Sequence, residues 1–223
     1  MGTLKPNARR AKIALILIGI VLALEGINLI SSYLDYGLLQ TMASGVDVPD
    51  EAIDANDLRE FIAGVLSILV SVVSAVTFLM WFRRAYYNLH QRVSQLTYSE
   101  GWATGSWFVP VLNLYRPYKI MKELYLKTKE LLVSKGVEVN PSFTASALGW
   151  WWGLWIISGI AGRVVWRFSI RAETLDELIT SSVLCMTSEF VDILLSLIAF
   201  KVVRDYSAVE PLLHEIRADE ASG

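Results

Sequence analysis

An all-α integral membrane protein is the fold class this sequence predicts, and three observations carry it. Apolar runs recur at residues 13–34, 61–82, 144–166 and 178–200, and each is long enough for a spanning helix, which needs roughly twenty residues. The 223-residue chain is 54% hydrophobic and only 19% charged, with a mean hydropathy of +0.44, a balance foreign to a soluble domain of this size. Lys and Arg gather on the N-terminus, on the long segment between the second and third runs, and on the end of the fourth. That bias assigns those three regions to the cytoplasm.

The first run follows Lys5, Arg9, Arg10 and Lys12. It is too long for a signal-peptide core and no small-x-small cleavage site follows, so it reads as an uncleaved first span. Residues 36–60 read as an acidic polar loop whose lone basic residue is Arg59; the run DVPDEAIDAND lacks the spacing of a calcium loop. The second span ends on Trp81, Arg83 and Arg84, an aromatic and basic membrane-surface signature. Tyr86, Leu89, Val93 and Leu96 then recur at helical spacing, which extends the helix beyond the bilayer on one apolar face.

Residues 101–125, GWATGSWFVPVLNLYRPYKIMKELY, are too short in their apolar part to cross a bilayer and are broken by Gly101, Gly105, Pro110, Asn113 and Pro117. They suit a re-entrant or surface-lying element. Pro117 fits the first turn of a following amphipathic helix, with Ile120, Met121, Leu124, Leu131 and Leu132 opposite Lys119, Lys122, Lys127 and Lys129, and Gly136 as its stop. Asn140, Pro141 and Ser142 announce the third span. Its Trp150, Trp151, Trp152 and Trp155 read as an interfacial belt, and its Gly149 and Gly153 as a packing motif. The fourth span ends on Lys201 and Arg204. The expected organisation is a four-span domain over 1–204, two hairpins joined by a cytoplasmic interfacial section at 83–142, and a polar cytoplasmic tail at 205–223. Arg163, Arg167 and Arg171 near the second outer turn dissent from this topology and are outvoted by the three basic segments.

Ionisable residues inside spans are costly and so carry the sharpest signal. Glu25, with Asn28 and Ser32, lies on the first span; Cys185, Glu189, Asp192 and Ser196 form a stripe on the fourth. Gly64, Ser67, Ser71 and Ser74 make a small polar seam on the second. A bundle that turns these inward gathers Glu25, Glu189 and Asp192. One reading is a proton- or cation-handling site. The other, which buried polar contacts in membranes favour, is structural, with Arg163 or Arg167 neutralising a carboxylate. Single Cys185 excludes an internal disulfide and a Cys-based zinc site, and His90 and His214 read as surface residues without metal or nucleophile partners. No cofactor, no metal and no nucleic-acid partner is expected, and no catalytic constellation is present.

The run FLMWFRRAYYNLHQ followed by LTYSEGWATGSWFVPVLNLYRPYKIMKELY resembles the signature of a mostly bacterial membrane family, domain of unknown function 4328. The marks are Trp81, Arg84 and Asn88, then Gly101-Trp102, Trp107-Phe108-Val109-Pro110, Asn113-Leu114 and Pro117. The resemblance covers residues 61–200 and implies a four-span domain of a bacterial cytoplasmic (inner) membrane; it brings no catalytic residues.

The expected function is that of a non-enzymatic scaffold or accessory subunit. It would act on an unidentified membrane or cytoplasmic protein through Trp102, Trp107, Pro110, Asn113, Arg116, Lys119 and Lys122, with the lysines at anionic lipid headgroups. The alternative is small-solute, proton or ion transport through the intramembrane carboxylates. A short echo between FRRAY after the second run and VRDY after the fourth hints at a two-plus-two arrangement.

Overall fold

The structure is a computed structural model that describes residues 3–213 and Ile216. It is helical throughout and contains no strand among the described residues. The helices are α1 (Ala8–Ala43), α2 (Asp50–His90), α3 (Trp102–Gly105), α4 (Arg116–Ser134), α5 (Ser146–Ser169) and α6 (Leu175–Val209), with a 3-10 turn at Leu112–Leu114 between α3 and α4. Three of them, α1, α2 and α6, are long and apolar enough to cross a membrane. The 24-residue α5 also has the length, but its tryptophans, its glycines, Arg163 and Arg167 dilute its hydropathy.

Helix ends follow local chemistry. Thr174 and Glu177 form a capping box at the start of α6: the Glu177 amide donates to Thr174 Oγ1 at 3.4 Å, and Glu177 Oε2 accepts from the Thr174 amide at 3.0 Å. Pro117 lies in the first turn of α4. Gly136, at φ +73°, closes that helix: its amide donates to the Val133 carbonyl and the Val137 amide to the Leu132 carbonyl, both at 3.0 Å. That pair of bonds is the Schellman pattern.

Several sequence expectations change. The acidic segment 36–60 is not a loop: α1 runs through Ala43 and α2 begins at Asp50, leaving only residues 44–49 as connection. Aspartate and glutamate in the first turn of α2 complement the helix dipole, so acidic composition there is compatible with helix. The helix through Tyr86 and Leu89 ends at His90, short of Val93 and Leu96. Trp151 and Trp152 are buried, whereas Trp150 is exposed, so the expected belt is divided between core and surface. A Cβ built at Gly149 or Gly153 meets nothing within 4 Å, so this glycine pair makes no close helix approach. Tyr206, Val209, Glu210 and Leu213, assigned by sequence to a polar tail, are buried. His214 lies outside the described residues.

The chain divides into two compact units. The first takes residues 1–16, 74–152 and 198–223 and has a dense aromatic core. Phe78 packs on Trp81, Phe82, Trp107 and Trp151, and Tyr206 on Trp81, Tyr125 and Phe143, with ring centroids 5.6–6.3 Å apart. Ile120, Met121, Leu124 and Leu132 supply the buried face of α4, with Lys119 and Lys122 exposed. The second unit takes residues 17–73 and 153–197. There the exposed side chains are Ile27, Ile30, Phe61, Ile68, Leu69, Ile160 and Phe190, and the buried ones include Ser31, Ser32, Asn56, Ser181, Ser182 and Ser188.

Candidate functional site

In the second unit, helical pitch brings Glu25 of α1 and Glu189 and Asp192 of α6 close enough for their charges to interact. Ser32 Oγ donates to Glu189 Oε1 at 2.9 Å, and Ser158 of α5 donates to Asp192. Asn28 Nδ2 donates to Ser67 Oγ at 2.8 Å. Glu189 Oε2 and Asn28 Oδ1 are buried without a hydrogen-bond partner. Among the described residues none of the three carboxylates forms an ion pair. Arg163 and Arg167 are exposed, and Arg167 lines a cleft with Arg171 and Glu177. The predicted neutralisation by Arg163 or Arg167 is therefore corrected: among the described residues neither pairs with a carboxylate, and both stand at exposed positions of α5.

The arginine that does meet polar side chains of this unit is Arg59. Its Nε donates to Ser31 Oγ at 2.8 Å, and its guanidinium lies 3.5 Å from Glu60. Asn56 Nδ2 donates to Asp35 Oδ1 at 2.8 Å, and Ser182 Oγ also donates to Asp35. Sequence reading missed Asp35, Asn56, Arg59 and Glu60 because it took their segment for a loop; their spacing on a continued helix was the available signal. Chemically, this unit offers a row of carboxylates in which Glu189 and Asp192 accept hydrogen bonds from serine hydroxyls. No group of three acidic, Cys or His side chains suited to a metal ion occurs among the described residues.

In the first unit, residues 101–115 form a folded loop whose backbone is paired locally except at its tip, where the Val109 and Val111 amides make no backbone hydrogen bond among the described residues. The amides of residues 102–108 and 112–115 all donate to carbonyls between Ser99 and Leu112. Such internal pairing is what irregular backbone needs at a membrane. The loop turns at Val111, where φ is +67° and the Leu112 amide donates to the Pro110 carbonyl at 2.8 Å. This is a γ-turn of the rare, strained hand, at a β-branched residue; such strain costs about 1–3 kcal/mol and persists only when the surroundings hold it.

The surroundings do hold it. Trp107 packs on Phe78, Trp151 and Trp152, and Trp152 Nε1 donates to the Leu114 carbonyl at 3.0 Å. The Arg116 guanidinium lies 4.3 Å over the Trp102 ring. The tip is left bare: Phe108 is 72% exposed, Val111 70% and Leu114 55%. Of the sequence candidates, Trp102, Trp107 and Arg116 brace the loop, Pro110 shapes its turn, and the Asn113 amide closes it onto the Val109 carbonyl. Lys119 and Lys122 stand on the exposed side of α4, with ammonium groups over Tyr115 and Tyr118.

A buried polar node in the same unit also escaped sequence reading. Asn7 Nδ2 donates to Glu210 Oε2 at 2.9 Å, and Asn88 Nδ2 donates to Glu210 Oε1 at 2.7 Å. Asn88 further clamps Lys5, accepting from its amide and donating to its carbonyl, both at 2.9 Å. Burial holds the Glu210 carboxyl above the ordinary glutamate value, while bonds from Asn88 and Asn7 and the charge of Arg84 pull the other way. Contacts separated by up to 203 residues in the chain leave no periodic trace in sequence. His90, read as a surface residue, is half-buried and its Nε2 bonds the Tyr98 carbonyl at 2.9 Å.

The profile of one protein family, described as Domain of unknown function (DUF4328), matches residues 44–208. No curated protein and no solved structure matches the chain.

Proposed function

The chain belongs to the DUF4328 family, and from that premise we propose a non-enzymatic membrane scaffold or accessory subunit that works through the aromatic loop at 101–115. In this reading α5 spans with α1, α2 and α6. Both termini and residues 83–142 face the cytoplasm of a bacterial inner membrane, and the lysines of α4 sit at headgroup level. The observation that carries it is the bare apolar tip, Phe108, Val111 and Leu114, held out by a strained turn and an aromatic brace. Strain kept at an exposed position points to a surface that does something.

The test is affinity purification from membranes in a mild detergent. A protein that co-purifies with the wild type should be lost with F108S/V111S/L114S and kept with E25Q/E189Q/D192N. Equal recovery with the tip variant contradicts the proposal.

A second reading, proton or small-cation transport, is favoured by the row of Glu25, Glu189 and Asp192 without an ion pair. Proteoliposomes loaded with a pH-sensitive dye decide it: flux that vanishes in E25Q/E189Q/D192N supports transport, and flux equal to protein-free vesicles removes it.

A further inference from the structure

We propose that Lys5, Arg10, Arg83 and Arg84 form a binding site for the phosphate of an anionic lipid headgroup. The four side chains line one cleft of about 240 Å³, together with Tyr87 and Glu100. Like charges do not gather unaided, and here the backbone assembles them. The two-way clamp of Asn88 on Lys5 fixes that residue, and its ammonium lies 4.3 Å over the Tyr87 ring. Arg10 donates to the Met80 carbonyl at 3.0 Å, which ties α1 to α2 one turn before Arg83 and Arg84. Arg10 feels the charge of both of those arginines.

The nearby counter-charge falls short. Glu100 holds Arg83 at 3.1 Å, and Glu210, which acts on Arg84, is already occupied by Asn7 and Asn88. Two carboxylates against four cations leave the cleft positive, and Arg84 forms no ion pair among the described residues. Guanidinium forks match phosphate oxygens, and an arginine cluster is the usual solution for a phosphate. The source of that phosphate follows from position along the chain. Arg10 precedes the apolar run that starts at Ile13, and Arg83 and Arg84 follow the run that ends at Phe82. Both are helix positions at which a spanning segment meets headgroups. This site differs from the lysine face of α4 and does not depend on the aromatic loop having a protein partner.

The experiment titrates the full chain in a nonionic detergent with short-chain phosphatidylglycerol, short-chain phosphatidylcholine and inorganic phosphate, following bound lipid by native mass spectrometry. Saturable retention of phosphatidylglycerol over phosphatidylcholine is expected, weakened roughly fivefold for each of R10Q, R83Q and R84Q. R204Q, an exposed arginine at another membrane exit, should leave retention unchanged. The variant R10K/R83K/R84K keeps the charge and guards against misfolding; it should retain phosphatidylglycerol more weakly than the wild type and more strongly than the triple glutamine variant. Retention indifferent to R10Q/R83Q/R84Q, or no lipid selectivity in the wild type, overturns the site. Inorganic phosphate displacing the lipid at equal concentration overturns its assignment to a lipid.

Discussion

The two units of this chain bury opposite chemistries. In the first, Trp81, Tyr86, Leu89, Met121 and Tyr206 are fully buried, as in a water-soluble core. In the second, Ile27, Ile30, Phe61, Ile68 and Phe190 are exposed, and serines, Asn56 and the carboxylate row turn inward. The helices in question are the same; α1, α2 and α6 each contribute residues to both units. What differs is the solvent each stretch is written for. Apolar burial stabilises against water, whereas against acyl chains it gains little, and packing and interhelical hydrogen bonds take over.

That contrast can be broken by substitution. The largest effect is expected for Trp81→Ala, which empties the centre of the aromatic core and should lower stability by about 3–5 kcal/mol in denaturant unfolding from detergent. Ile68→Ala, at a residue 66% exposed, should stay within about 0.5 kcal/mol. Equal costs would erase the distinction.

Next comes a charge on each kind of exposed position. Ile68→Asp should impair membrane integration by about 2.5–3.5 kcal/mol, seen as a drop in the carbonate-resistant fraction. Val133→Asp, also at an exposed apolar position but on α4, should leave integration unchanged. A matching loss at Val133 would place α4 in lipid.

Glu210→Ala should cost about 2 kcal/mol, because buried Asn7 and Asn88 lose their shared carboxyl acceptor. Its pH dependence has a defined sign. The folded carboxyl titrates above the ordinary 4.5, so its protonated form favours the folded state. The stabilising contribution is full below 4.5 and is lost as pH rises through the folded-state value. Melting temperature should therefore fall with rising pH in the wild type and less so in E210A. An identical slope in both would detach the node from stability.

Asn28→Ala, which removes the bond to Ser67, should cost only about 0.6 kcal/mol in unfolding from bicelles. A cost several times larger would mean that the seam holds the second unit together more strongly than membrane hydrogen bonds ordinarily do.

Sequence made the apolar helices legible because length and hydropathy are local properties, and Pro117 and Gly136 marked α4 for the same reason. Asp50 and Glu51 misled, because acidic residues suit both a loop and a helix N-terminus. Glu25, Glu189 and Asp192 were legible as a group because each is an anomaly within an apolar run. The company they keep was not: Ser32 and Ser158, and no arginine among the described residues, meet Glu189 and Asp192. Asn7, Asn88 and Glu210 meet only through the fold. The aromatic loop was readable as a broken apolar run, but the strained turn at Val111 and the bracing by Trp152 follow from tertiary packing.

The proposed topology puts the aromatic loop on the cytoplasmic side with α4, its apolar tip kept from water. Single cysteines at Phe108, Ser44 and Lys127 in a C185S background, labelled with a membrane-impermeant maleimide in right-side-out and inverted vesicles, test it directly. Lys127→Cys should label from the cytoplasmic side only, Ser44→Cys from the outer side only, and Phe108→Cys from neither until detergent is added. Labelling of Phe108→Cys from the outer side would contradict it, as would full labelling beside Lys127→Cys in intact inverted vesicles.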